Sequence, residues 1–197
     1  MKFNVSNINV PNIITISRII VTPVFFWMFL HEDGIISALS CVLFLIAALS
    51  DYFDGWYARK YNEVSSYGEF IDPLADKIFI GSAFIAMAIL NIIPWFMVWI
   101  VISRDIIATL LRQMAIKKNT VMKTSRSAKY KTVYQFIFIF YVQTLIFAKG
   151  TGFFDIPVES LNDLIYSDLT WWAMFLVTLF TLYTLIEYII KNKLMFK

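Results

Sequence analysis

Cysteine, histidine and charge are all scarce in this chain. One Cys among 197 residues excludes an internal disulfide. Cys41 lies inside an apolar run, where a small buried hydrophobe is its expected role. With a single His as well, His31 in a charged stretch, the chain has no set of soft ligands for structural zinc. Six Gly and five Pro are too few for a disordered or linker-rich chain, so most residues are expected in packed helices. The start, Met1 to Val10, is polar and lacks a basic region leading into a short apolar core, so no cleavable signal peptide is expected. No internal repeat or low-complexity stretch breaks the chain, and one domain over residues 1–197 is the expectation.

What fills the sequence instead is apolar. Hydrophobic residues make up 59% and charged residues only 16%, against roughly 45–50% and 25% in soluble domains. Water is therefore not the main solvent. Crossing the hydrocarbon core takes about 20 mostly apolar residues. On that ruler the chain offers six candidate spans: Ile13 to Leu30, Ile35 to Tyr57, Asp72 to Leu90, Ile93 to Ala115, Thr132 to Phe147 and Leu169 to Ile190. The first contains Arg18 and Pro23, and the third begins among charges. Asn91 to Pro94 leaves room for only a short turn between two apolar runs. The fold class expected is thus all-α integral membrane with six transmembrane helices. Met1 to Pro11 is a candidate interfacial segment, although its apolar periodicity is weak.

Charge sets the orientation, because cytoplasmic loops collect Lys and Arg. Arg112, Lys117, Lys118, Lys123, Arg126, Lys129 and Lys131 follow the fourth span, and Arg59 and Lys60 follow the second. Lys191, Lys193 and Lys197 follow the last. The opposite loops hold Glu32, Asp33, Asp155, Glu159, Asp163 and Asp168, with Lys149 as their cation. Both termini are therefore expected in the cytoplasm. A formal net charge of +3 is modest, so anionic lipid headgroups rather than nucleic acid are the expected contacts of the basic loops. Trp171 and Trp172 read as interface anchors at the outer end of the last span.

Acids within membrane spans are costly, which makes each one a functional hypothesis. Asp51 and Asp54 share one helical face, as do Asp72 and Asp76, near the cytoplasmic ends of successive spans. Four carboxylates brought together repel one another unless cations intervene. Arg59 and Lys77 supply some positive charge, and a salt-bridge network around them is one reading. A hard cation, Mg²⁺ or Mn²⁺, suits an all-oxygen cluster better, and such ions commonly bring phosphate with them. A proton or ion pathway is the third reading, but it calls for acids near the bilayer midplane rather than at one edge.

These residues also form a longer pattern. Asp51, Asp54, Gly55, Ala58, Arg59, Gly68, Asp72 and Asp76 spell D-x2-D-G-x2-A-R-x8-G-x3-D-x3-D. The pattern resembles the signature of the CDP-alcohol phosphotransferase family at every fixed position, and the six-helix architecture of that family agrees with the hydropathy reading. The resemblance covers nearly the whole chain. It is strongest to the branch that joins CDP-diacylglycerol to glycerol 3-phosphate. Three softer stretches carry that likeness: Pro11 to Arg18, then Arg104-Asp105 with Arg112, and Ser125 to Thr132. Ala128 is a departure, since that branch often has Gly there.

The resemblance implies a multi-pass enzyme of the cytoplasmic membrane with its active site facing the cytoplasm. Asp51, Asp54, Asp72 and Asp76 would hold Mg²⁺ or Mn²⁺, as two ions, with Asp76 also the base on the acceptor hydroxyl. CDP-diacylglycerol would lie against Asn12, Thr15, Gly55, Ala58, Arg59, Ser65 and Gly68. Gly55 and Ala58 would leave room for the nucleotide, with close helix packing as the alternative. Gly68 would turn the chain into the third span, and Pro73 would occupy its first turn with Asp72 as a cap. Arg104, Arg112, Ser125, Lys129 and Lys131 would take the acceptor phosphate. For Arg104 an ion pair with Asp105 stands beside that role. Products would be phosphatidylglycerol phosphate and CMP, and the enzyme would be a homodimer. The same donor with inositol phosphate, serine or phosphatidylglycerol as acceptor, or a membrane transporter without enzymatic activity, are the alternatives.

Overall fold

A computed structural model describes residues 10–61, 66–117 and 126–192, with side chains described at 16–50, 74–115 and 127–192. Among these residues the chain forms seven helices and no strand. They are α1 (Val10–Phe29), α2 (Gly34–Tyr61), α3 (Ser66–Ile89), α4 (Trp95–Lys117), α5 (Arg126–Thr151), α6 (Val158–Ile165) and α7 (Asp168–Lys191). Each of the six apolar stretches coincides with one long helix. Among the described residues two helical stretches, Ser127–Thr151 and Val158–Lys191, are by length and composition long and apolar enough to cross a membrane. The proposed interfacial segment falls largely on residues 1–9, outside the described residues.

Two boundaries differ from the sequence reading. Helix α3 begins at Ser66, six residues before Asp72, so Gly68 lies within the helix and is not the turn into it. Asp72 is therefore no cap, and Pro73 sits in the helix interior, where its missing N–H removes one backbone bond. Residues 66–71, with Ser66, Gly68 and Glu69 among them, form no continuous apolar run to announce a helix, yet helical geometry continues through them. The second difference is α6, which occupies part of an expected outer loop. It buries Leu161 and Ile165, one turn apart, and leaves Glu159 in its first turn.

Helix ends follow local chemistry. Asp33 accepts from the N–H groups of Ile35 and Ile36 at 2.8 and 3.2 Å and so caps α2. Ser167 accepts from Thr170 N at 3.3 Å and caps α7. The turn expected at Asn91 to Pro94 is present. Asn91 takes φ of 57°, a left-handed conformation that Asn tolerates. Its N–H donates to Ala88 O at 3.1 Å while that of Ile92 donates to Met87 O at 2.9 Å, which closes α3 with a Schellman arrangement.

The residues divide into two compact units. In the first, drawn from Met1–Ala86 and Gln143–Ile156, α1 packs along α2. Phe25, Phe44 and Phe79 from α1, α2 and α3 meet with ring centroids 5.2–5.8 Å apart. The end of α5 meets the start of α2 backbone to backbone: a Cβ built on Gly34 would lie 3.3 Å from Gly150 Cα. In the second unit, Met87–Val142 and Pro157–Lys197, α4 packs on α7. Thr170, Thr178, Thr181 and Thr184 form a buried row along α7. The hydroxyls of Thr178, Thr181 and Thr184 donate to carbonyls of their own helix at 2.7–2.9 Å.

Polarity is distributed unlike that of a water-soluble protein. Ile20, Trp27, Trp99, Leu176 and Ile190 are exposed, whereas Arg18, Arg104, Lys131, Gln135 and Gln143 are buried. Trp172 is exposed beside Trp171 and Phe175 at the start of α7, which suits the interface role assigned to the tryptophan pair.

The Gly34–Gly150 crossing yields a direct test. A Cβ at Gly150 would overlap the Gly34 carbonyl and come within 2.8 Å of Ala38 Cβ, while one at Gly81 would meet nothing within 4 Å. Gly150→Ala is expected to cost about 1–3 kcal/mol, the usual scale of overpacking. Gly81→Ala is expected to be neutral or slightly stabilising. Thermal unfolding of the two variants in detergent checks this; equal midpoints would remove the close crossing.

Candidate active site

The aspartate pattern is carried by two successive helices. Asp51, Asp54, Gly55, Ala58 and Arg59 lie in the last three turns of α2, and Gly68, Asp72 and Asp76 lie in α3. Both helices are continuous through these positions, so the i,i+3 spacing of Asp51 and Asp54 and the i,i+4 spacing of Asp72 and Asp76 each keep a pair on one face. Asn12 and Thr15 lie in the first two turns of α1. For all of these except Asp76 the backbone is described and the side chain is not. Ser65 and Ser125 lie outside the described residues.

Asp76 has a partner that the sequence reading did not assign. Arg18 Nη1 of α1 donates to Asp76 Oδ1. The Arg18 side chain is only 3% exposed, while that of Asp76 is 39% exposed. A buried guanidinium thus anchors one carboxylate oxygen of a part-exposed group. The cost of a charge inside a span was the available signal: Arg18 needed a carboxylate, and Asp76 follows on a helix joined to α1 through the Phe25–Phe79 contact.

The second unit holds a buried charged cluster. Asp105 Oδ1 accepts from Arg104 Nη1 at 3.0 Å and from Lys131 Nζ at 2.6 Å, joining α4 to α5. The Arg104 and Lys131 side chains are 8% and 5% exposed. Of the five residues expected around an acceptor phosphate, these two are brought together. Arg112 and Lys129 are exposed on α4 and α5. Among the described residues, Asp105 is thus shared by two buried cations. Arg104 makes the ion pair with Asp105 that the sequence allowed.

Glu187 was also missed. Its carboxylate accepts from Ser127 Oγ and, at 2.5 Å, from Lys191 Nζ. It ties the start of α5, the Ser125 to Thr132 stretch, to the end of α7. An acid within the last span was again the readable signal.

Residues 8–183 match the family model for CDP-alcohol phosphatidyltransferase. The chain belongs to the CDP-alcohol phosphatidyltransferase family. It is 33% identical over 169 residues to the CDP-diacylglycerol–glycerol-3-phosphate 3-phosphatidyltransferase of Rickettsia typhi, covering 85% of this chain and 90% of that one. To the protein of the same name from Bacillus subtilis it is 33% identical over 196 residues, covering 93% and 95%. To that from Wigglesworthia glossinidia brevipalpis it is 37% identical over 142 residues, covering 68% and 75%.

The shared carboxylate of the Arg104–Asp105–Lys131 cluster yields a prediction. Asp105→Asn removes the acid that both buried side chains contact, a loss of about 3–5 kcal/mol on the scale of broken buried pairs. Unfolding midpoints in detergent decide, and an unchanged midpoint would contradict the buried ion pair.

Proposed function

We propose that this chain is a six-span membrane enzyme that transfers the phosphatidyl group of CDP-diacylglycerol to glycerol 3-phosphate, releasing CMP and forming phosphatidylglycerol phosphate. The observation that carries the proposal is the eight-position aspartate pattern on α2 and α3, within a chain that matches the family over residues 8–183. The names of the relatives support this choice of donor and acceptor. The outward apolar faces of the helices support insertion into lipid. The Lys and Arg bias of the loops supports an arrangement with both termini and the active site in the cytoplasm of the cell membrane. We read residues 1–197 as one catalytic domain and the working form as a homodimer.

The acceptor's hydroxyl oxygen attacks the lipid-side phosphorus of the pyrophosphate, the bond from that phosphorus to the CMP oxygen breaks, and the hydroxyl proton passes to Asp76. Arg18 positions Asp76 by holding its Oδ1. Arg59 serves as a fixed fork for the CDP phosphates. Gly55 and Ala58 leave the α2 face low for the nucleotide, with Asn12, Thr15, Ser65 and Gly68 as further donor contacts. Arg104 and Lys131 supply the positive charge that a dianionic phosphate needs, and Arg112, Lys129 and Ser125 extend it toward the loop.

The donor set suits divalent metal. Asp51, Asp54, Asp72 and Asp76 are all hard oxygen ligands at helical spacing on α2 and α3, and the one whose side chain is described, Asp76, is part-exposed. Two Mg²⁺ or Mn²⁺ ions held there would neutralise charge on the phosphate oxygens and on departing CMP.

CMP release by the purified chain, with CDP-diacylglycerol and each candidate alcohol in turn, tests the assignment. Glycerol 3-phosphate is expected to support turnover, a chelator to stop it and Mg²⁺ or Mn²⁺ to restore it. No CMP with any acceptor would end the enzymatic reading, and preference for inositol phosphate or serine would change the acceptor. Asp76→Asn takes the carboxylate from the buried Arg18 and is expected to lower the unfolding midpoint as well as to lose turnover by about 100-fold or more in the fraction that stays folded, the lower range for a proton-transfer group.

A further inference from the structure

Two glutamines on α5 are fully buried, and they differ in how far they are paired. Gln143 Oε1 accepts from Ser40 Oγ at 3.3 Å while its Nε2 has no partner among the described residues, so one end of that carboxamide contributes to packing in its unit. Gln135 is 0% exposed, and among the described residues neither its Nε2 nor its Oε1 has a hydrogen-bond partner. A buried polar group left unpaired costs about 1–3 kcal/mol, and folded chains keep few of them. Gln135 lies one turn beyond Lys131, i,i+4 on the same face of α5. Lys131 is joined through Asp105 to Arg104, whose own Nε is buried without a partner as well. One compact unit therefore holds two unused donors and one unused acceptor around its cationic cluster.

The chemistry of these unused atoms differs along the helix. A phosphate only accepts hydrogen bonds, which fits Arg104 Nε and the neighbouring cations. A carboxamide offers a donor and an acceptor together, which fits a hydroxyl, a group that also does both. Lys131 and Gln135 are separated by about 6 Å along the helix axis, comparable with the length of a three-carbon phosphate ester. We infer that Gln135 reads the middle hydroxyl of glycerol 3-phosphate, the one left free when the terminal hydroxyl attacks, and so determines which phosphorylated alcohols are accepted. The inference rests on the transferase reading above and adds to it a specificity-determining residue.

Removing either side of this hydrogen bond gives the test. CMP release is measured with CDP-diacylglycerol and either glycerol 3-phosphate or 3-hydroxypropyl phosphate, which lacks the middle hydroxyl. The unchanged chain is expected to favour glycerol 3-phosphate by about 10–100-fold in kcat/KM, the equivalent of one buried group left unpaired. Gln135→Met, similar in volume, is expected to lose a comparable factor on glycerol 3-phosphate and to keep its rate on the analogue, bringing the ratio near one. Its KM for CDP-diacylglycerol is expected to stay unchanged. Gln135→Asn, which keeps the amide on a shorter stem, is expected to fall between the two. Equal losses on both acceptors, or an undiminished ratio in Gln135→Met, would overturn the assignment and leave Gln135 a packing residue. Replacing an unpaired carboxamide by a thioether is near neutral for folding, so a Gln135→Met chain that fails to fold would also overturn it. If the unchanged chain releases no CMP with either acceptor, the transferase reading falls and this inference with it. Normal turnover with an unaltered ratio removes only the role of Gln135.

Discussion

Charge buried among apolar helices has to be compensated where it stands, and the rest of this structure is arranged around that requirement. An unpaired ion taken out of water costs several kcal/mol even after relaxation, which is comparable with the whole stability of a domain. Arg18 is enclosed on α1 and reaches Asp76 on α3. Arg104 and Lys131 are enclosed on α4 and α5 and share Asp105. In each unit the ionic link joins separate helices, α1 to α3 in one and α4 to α5 in the other. Van der Waals packing alone discriminates weakly among helix pairings in lipid, where an apolar face is equally content against a neighbour or an acyl chain. Ionic partners specify which helices belong together. The same links leave charge where a phosphate-handling enzyme needs it.

Compensation is incomplete in a consistent direction. Asp76 is held by its arginine yet remains part-exposed. The Arg104–Asp105–Lys131 cluster keeps an Arg104 Nε without a partner among the described residues. A network built only for stability would be expected to close its last hydrogen bonds, as the α7 threonines do by donating to their own helix. In this unit the unsatisfied atoms are Arg104 Nε and the Gln135 carboxamide, while Gln143 Nε2 is left over in the other. Within one unit, then, the threonines close their hydrogen bonds on their own helix and the groups around the ions do not.

Much of this was legible from residue order. The six long apolar runs became six long helices because about 20 apolar residues have few other conformations in lipid. The Asn91 turn followed from an Asn able to adopt positive φ next to a proline. The aspartate pattern identified the family because fixed residues at eight spaced positions are rarely met by chance. What was not legible depended on length scales that hydropathy does not measure. Helix α3 extends back through Gly68 because backbone hydrogen bonding continues where the apolar run has stopped. Helix α6 is too short to register as a span and shows itself only through Leu161 and Ile165 one turn apart. The partners of Arg18, Lys131 and Glu187 lie 58, 26 and 60 residues away, at Asp76, Asp105 and Ser127. No local period encodes such pairs. The cost of an isolated charge nevertheless demanded that a partner exist.

The same principle extends to neutral polar groups, and there it separates two residues that composition treats alike. Gln135 and Gln143 share a helix, a side chain and complete burial. Eight residues of helix separate them, so both can face inward while their surroundings differ. Gln143 meets a serine hydroxyl from α2, a contact that any carboxamide acceptor can make and that closes a packing seam near the Gly34–Gly150 crossing. Gln135 is followed back along its own helix by Lys131 and Ser127, both tied to acids. Lysine and serine at these positions use their polar atoms on neighbouring helices; the glutamine one turn further does not. A leucine there would fill comparable volume without the unpaired atoms. Burial of the carboxamide is therefore disfavoured by the fold taken alone, and becomes favourable once something with both a donor and an acceptor lies against it.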